Sequence, residues 1–313
     1  MKAVTKTIQE AELSLLSKDI IHSLLYFNIF RFPLKIDELF SNSSIKGVSL
    51  SELIDEVNLL VKQGIIKKHG EWFILYNNIS FIKDRDEGTT RAESYLRLAK
   101  KIGCFMSCFP FVRGVFISGS LSKGYMNSKS DIDFFIVTAP NRLWLCRTLL
   151  ILFKKVFLFN SRKFFCPNYF IDTDHLEIPD QNIFTAKELS YLIPIYNSSI
   201  YKQLLESNEW REEYMPNFPA RSRLIYSGAP WFKDFMEVLL GGKVGEVLDN
   251  FCMKVTEGFW RKKYKTIFGK DVVSIRCKKY VSKFHPKGYQ NKVIEKYKEN
   301  ISKFEEFHNF NLY

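Results

Sequence analysis

Ten residues separate the pair Gly119-Ser120 from Asp131-Ile132-Asp133, and the apolar run Phe134-Phe135-Ile136-Val137 follows at once. No other feature constrains the fold of this chain as strongly. Aspartates at i and i+2 on a strand point to one face, about 7 Å apart along the backbone, so both can converge on a divalent cation from a rigid platform. The run before the pair, Val112-Arg113-Gly114-Val115-Phe116-Ile117-Ser118, is β-rich. A glycine at its end lets the backbone approach a ligand and aim N–H groups at it, and serine adds a hydroxyl donor; phosphate oxygens suit such a pocket. Residues 121–125 are expected to form a short helix ended by Gly124, with residues 127–130 turning the chain back.

Gly119-Ser120, Gly124 and Ser130-Asp131-Ile132-Asp133 resemble the signature of the polymerase-beta-like nucleotidyltransferase superfamily, whose members transfer a nucleoside monophosphate from a nucleoside triphosphate to an acceptor. The resemblance covers roughly 90 to 100 residues, about one small domain, and does not name the acceptor. An Asp-x-Asp alone is often a solvated edge or turn, and a Gly-Ser alone is weaker still; their order and spacing between two β-like runs carry the specificity. The resemblance implies two Mg²⁺ ions and a nucleoside triphosphate donor. Two ions about 3.5 to 4 Å apart activate an attacking hydroxyl and stabilise the leaving pyrophosphate, and Mg²⁺ takes a few carboxylates plus phosphate oxygens and water. Asp131 and Asp133 would hold the metals, Gly119 and Ser120 the triphosphate, and Lys123 would neutralise phosphate charge.

Family members usually add a third carboxylate from a later strand, which binds the catalytic metal and helps deprotonate the acceptor hydroxyl. The candidate strand spans residues 163–172. By period two, Asn168, Phe170, Asp172 and Asp174 share a face, so Asp172, or failing it Asp174, is expected to close the triad. Asp172-Thr173-Asp174-His175 also reads as a turn, because such side chains bond their own backbone locally. With Asn168 in the third position instead, the metal site would be electrostatically poorer.

With 313 residues, 46% hydrophobic, the chain can bury sizeable cores and hold two or three domains. Its most apolar stretch, residues 143–159, is interrupted by Arg147, Lys154 and Lys155, which fits a buried helix and no membrane span. The six cysteines form no Cys-x2-Cys pair and do not cluster with histidines, as expected of reduced thiols in a cytoplasmic protein.

Before the Gly-Ser unit, helical patterns at residues 18–30, 35–40 and from Ser49 to Gly64 precede two short runs flanking His69-Gly70-Glu71, a hairpin. Ser49-Leu50-Ser51-Glu52 matches a capping box. Three helices and a hairpin resemble a winged helix. Its third helix carries Glu52, Asp55 and Glu56 against one lysine, Lys62, the wrong sign for phosphates, so a protein-contact or gating role is favoured over DNA reading, although Lys67, Lys68 and His69 keep nucleic acid open.

The expected class is therefore α+β: residues 1–84 a winged-helix-like domain, 85–184 a mixed-sheet nucleotidyltransferase core, and 185–313 a helical, basic domain. Residues 82–88 are the expected linker, and residues 90–102 and 141–159 the helices covering the sheet. From Lys254 to Tyr313 there are 15 Lys plus Arg against 6 Asp plus Glu. Residues 260–265 and 276–280 interleave these cations with aromatics, as the stacking and phosphate contacts of a nucleic-acid partner require. Two functions follow: Mg²⁺-dependent nucleotidyl transfer to an unidentified small-molecule, RNA or protein hydroxyl, or a non-catalytic nucleic-acid-binding or regulatory protein that retains the fold.

Overall fold

The computed structural model describes residues 13–76, 78–161, 163–219, 221, 231–265, 275–284 and 288–312. They fall into two units, the described residues up to 82 with 216–218 and those from 294 onward, and the described residues of 83–215 and 219–293.

In the first unit, helices α1 (Leu15–Asn28), α2 (Ile36–Asn42) and α3 (Leu50–Lys62) precede a hairpin of β1 (Lys67–His69) and β2 (Trp72–Ile74). The capping box forms: Ser49 Oγ accepts from the Glu52 N–H at 3.2 Å, and the Glu52 carboxylate accepts from the Ser49 N–H at 2.8 Å. His69 pairs with Trp72, so Gly70-Glu71 is a two-residue turn, and Gly70 supplies its positive φ of 60°. Ile20, Leu24 and Phe27 of α1, Leu53, Val57 and Leu60 of α3 and the hairpin's Phe73 are buried. Helix α11 (Tyr289–His308) contributes buried Ile301 and Phe304, and its Tyr297 hydroxyl bonds His22 Nδ1 at 3.0 Å. Ser49→Ala is expected to cost about 1 kcal/mol of stability by removing the α3 cap, read as a lower denaturant midpoint with an unchanged slope.

The second unit is built on a mixed sheet of six strands in the order β6-β3-β4-β5-β8-β7. Helix α4 (Ser80–Ser107) leads into β3 (Val112–Ser118), the short helix α5 (Gly119–Ser122) and β4 (Asp133–Thr138), which runs antiparallel to β3. Helix α6 (Leu143–Phe157) then crosses to β5 (Cys166–Asp172), parallel to β4. Helix α7 (Ile183–Ser190), β6 (Ile193–Tyr196) and α8 (Ser198–Glu206) follow, with β6 pairing on the free edge of β3. After α9 (Trp231–Leu239) and α10 (Lys243–Lys263), the hairpin of β7 (Ile275–Lys278) and β8 (Val281–Phe284) adds to β5.

Strand alternation sorts the apolar residues onto two faces. Phe134, Ile136 and Phe170 pack with Ala99 and Met106 of α4, Trp144 and Leu150 of α6 and Trp260 of α10. Phe135, Val137 and Ile171 pack on the other face with Leu189 of α7 and Leu204 of α8. Burial on both sides explains why β4 is a continuous apolar run.

Two expectations are corrected. Residues 82–88 are no linker but part of the 28-residue α4; charged side chains on its exposed turns hide its helical period. Residues 185–313 are not a separate helical domain, because three of the six sheet strands, β6, β7 and β8, come from them. These strands have four residues each, too few for a period of two to stand out. The basic run 276–280 is the β7–β8 hairpin.

Among the described residues, no helix is long and apolar enough to cross a membrane. All six cysteines carry free thiols.

Candidate functional site

Strand β3 ends at Ser118, which pairs with Asp133, so the Gly-Ser turn and the second aspartate meet where the β3–β4 ladder begins. Gly119 has a φ of 68°, and a Cβ on it would lie 2.5 Å from Asp133 Oδ2. Only glycine satisfies both the backbone and the space there. The Asp133 carboxylate thus lies directly against the Gly119 backbone. The hydroxyl of Ser120 is 3.7 Å from the Met126 thioether, a weak acceptor that leaves it able to donate to a stronger one.

Gly124, at a φ of 70°, ends α5, and α4 holds the loop that follows. The Met126 N–H donates to Gly88 O at 3.0 Å, Arg91 donates to Met126 O at 3.0 Å, and Arg85 donates to Gly124 O at 3.1 Å. The Tyr125 ring occupies the space a Cβ on Gly88 would need. Ile132 is fully buried, its N–H donating to Lys163 O at 2.9 Å while its carbonyl accepts from the Cys166 N–H at 3.2 Å. The peptide between the two aspartates is thereby fixed to the start of β5, and the acid pair sits on a rigid base.

On β5 the side chain that reaches Asp133 is Asn168. Between Phe134 and Phe135 the β4–β5 register shifts: Phe134 pairs with Pro167 and Phe135 with Tyr169, which leaves Asn168 in a bulge. Its side-chain amide donates to Asp133 Oδ1, and its own oxygen accepts from the Cys166 thiol at 3.1 Å. Asp172 pairs with Thr138 at the far end of β4, five strand steps from Asp133, or about 16 Å, and on the opposite face of the sheet. There it is buried and accepts from the Asp174 N–H at 3.2 Å and bonds His175 Nδ1 at 2.7 Å, while His175 stacks on Tyr280. Asp172 and Asp174 are therefore the turn that the sequence also allowed, and neither completes the acid pair.

Lys123 is close to the site but committed. Its ammonium donates to Glu188 at 2.7 Å and to Gly119 O at 3.2 Å, which ties the start of α5 to α7. Glu188 is the residue that sequence reasoning missed, since one glutamate on an ordinary amphipathic helix carries no signal. Withdrawal from water, then the charges of Asp131 and Glu188, push the Asp133 carboxyl up to about 7, against the opposing hydrogen bonds of Asn168 and Cys166. Tyr289, edge-on to Phe184 at 6.1 Å, feels the same acids: burial first, then Glu188 and Asp133, push its phenol up to about 12.

Mg²⁺ is held by one or two carboxylates together with phosphate oxygens and water. Asp131 and Asp133, close enough for the charge of one to raise the carboxyl of the other, are the two carboxylates this site offers to such an ion. Among the described residues, no three His, Cys, Asp or Glu side chains are grouped to hold a metal. Among the described residues, the third carboxylate expected from β5, Asp172, is not grouped with Asp131 and Asp133.

Several cations of the basic C-terminal stretch are engaged internally. Arg276 and Lys283 pair with the buried Asp180, Lys279 pairs with the buried Asp249 at 2.8 Å, and Arg261 pairs with Glu257 at 2.6 Å. Lys262 and Lys263 are exposed, and residues 266–274 lie outside the described residues.

No family model, curated protein or solved structure matches this chain.

Proposed function

We propose that the second unit binds a Mg²⁺–nucleoside triphosphate between the Gly119-Ser120 turn and the Asp131–Asp133 pair, and transfers its nucleoside monophosphate to an acceptor hydroxyl. The observation that supports this best is the apposition of Gly119 and Asp133, which sets a phosphate-suited turn against a metal-suited carboxylate with no side chain between them. Asp131 and Asp133 would hold the ion, which supplies charge neutralisation of the polyphosphate. Ser120 would donate its hydroxyl to a phosphate oxygen. Lys123 would act by holding α5 against α7 and not as a phosphate ligand. The three helices and hairpin of the first unit resemble a winged helix, for which a contact to the acceptor or to a partner protein is the favoured role.

A second reading, nucleotide binding without turnover, is favoured by Asn168, an amide where the resemblance calls for a carboxylate. Incubation with each labelled triphosphate, Mg²⁺ and a cell extract separates the two. Transfer of label that is lost in Asp131→Ala supports the enzyme. Nucleotide binding with no transfer to any acceptor fraction supports the second reading.

A further inference from the structure

Helix α9 is amphipathic in the inverted sense. Its charged face is turned into the protein: Lys233 is buried and donates to Ser107 O at 2.9 Å and Val112 O at 2.7 Å, while Glu237 pairs with Arg113 at 2.6 Å and accepts from the Phe111 N–H at 2.7 Å. Trp231, Phe232, Phe235, Val238 and Leu239 are each more than half exposed. Helix α10 repeats the pattern. Asp249 and Trp260 are buried, and Val244, Val247, Phe251, Val255 and Phe259, spaced by three and four residues along one stripe, are each more than half exposed. The joint between the helices is fixed, because the Arg142 side chain donates to the carbonyls of Leu240, Gly241 and Gly242. The two apolar faces therefore flank one fixed joint.

At roughly 100 Å² of exposure apiece, these side chains present on the order of 1,000 Å² of apolar surface. Monomeric proteins rarely show more than a few hundred Å² in one patch, whereas about 800 Å² per partner suffices for a stable protein interface. The charges along the two helices balance, Lys243 and Lys254 against Glu246 and Asp234, while Glu257 is taken up by Arg261. A helix face that docks on anionic lipid carries an excess of cations along its length; here the excess, Lys262-Lys263, sits only at one end. Balanced charge around an apolar centre suits self-complementary pairing across a two-fold axis.

From this we infer that a second copy of the chain covers the α9–α10 face, making the protein a homodimer. Sedimentation equilibrium of the full chain tests it, with twice the chain mass expected from low micromolar concentration upward. Val247→Glu and Phe251→Glu should each give the single-chain mass with unchanged helical circular dichroism. Leu152→Glu, at an exposed apolar position on α6, should leave the dimer intact. A wild-type protein that remains a monomer overturns the inference, whether or not the variants fold. So does a folded Phe251→Glu protein that stays dimeric, or a monomer that sediments with phosphatidylserine vesicles through this face.

Discussion

Asp133→Asn is expected to stabilise the metal-free protein at pH 8 and to abolish its stabilisation by Mg²⁺–triphosphate. The Asp133 carboxyl is pushed up to about 7 by burial and by the charges of Asp131 and Glu188, whereas an unfolded aspartate titrates near 3.9. Between about pH 4 and pH 7 the folded state binds the extra proton, so stability falls as pH rises through that window and stays low above it. Asparagine keeps the shape and the bond from Asn168 but carries no charge. The gain at pH 8 should be about 2 kcal/mol once solvent screening of a half-buried group is allowed for, and should vanish near pH 4. With the ligand the order reverses. The wild type should gain about 2.7 kcal/mol at a hundred times the dissociation constant, and the variant nothing. Thermal melts over pH, with and without Mg²⁺–triphosphate, read both halves; equal ligand stabilisation of both proteins would remove Asp133 from the metal.

Asn168→Asp carries the second large effect. It places a carboxylate in the bulge beside Asp133, where Asp131 and Glu188 already contribute negative charge. Without metal, at pH 8, the folded state should lose about 1 to 3 kcal/mol through like-charge repulsion and loss of the amide bond. Added Mg²⁺ should restore that loss and raise the variant's melting temperature more than the wild type's. Label transfer divides the two readings: a faster Asn168→Asp protein means that the native amide limits turnover, and a Mg²⁺ response identical to the wild type's means that position 168 does not face the ion.

The Gly-Ser and Asp-x-Asp elements were legible because each acts locally. A glycine that must hold a positive φ, and a strand that must place two acids on one face, leave their marks within a few residues. Helices α1, α3 and α6 were legible for the same reason, since each announces its buried stripe at a period of 3.6. The third site residue was not, because it depends on pairing between strands. Period two placed Asn168 and Asp172 on one face of β5, and the bulge at Asn168 breaks that parity, bringing its amide to Asp133 and leaving Asp172 on the other face. No single-strand pattern contains the register that decides this. Glu188 and Lys123 likewise meet across 65 residues of sequence. In sequence the cations at positions 276 and 279 read as a ligand surface, but in the fold they pair with the acids Asp180 and Asp249.

Calorimetric titration of each of the four nucleoside triphosphates into the wild-type protein, with Mg²⁺ and then with chelator, tests the central claim most directly. Saturable binding of at least one triphosphate, lost with chelator and lost in Asp133→Asn, is the expected result. Absence of binding for all four in the presence of Mg²⁺, or binding indifferent to chelator and to Asp133, would contradict the assignment of the Gly119–Asp133 junction as a nucleotide site.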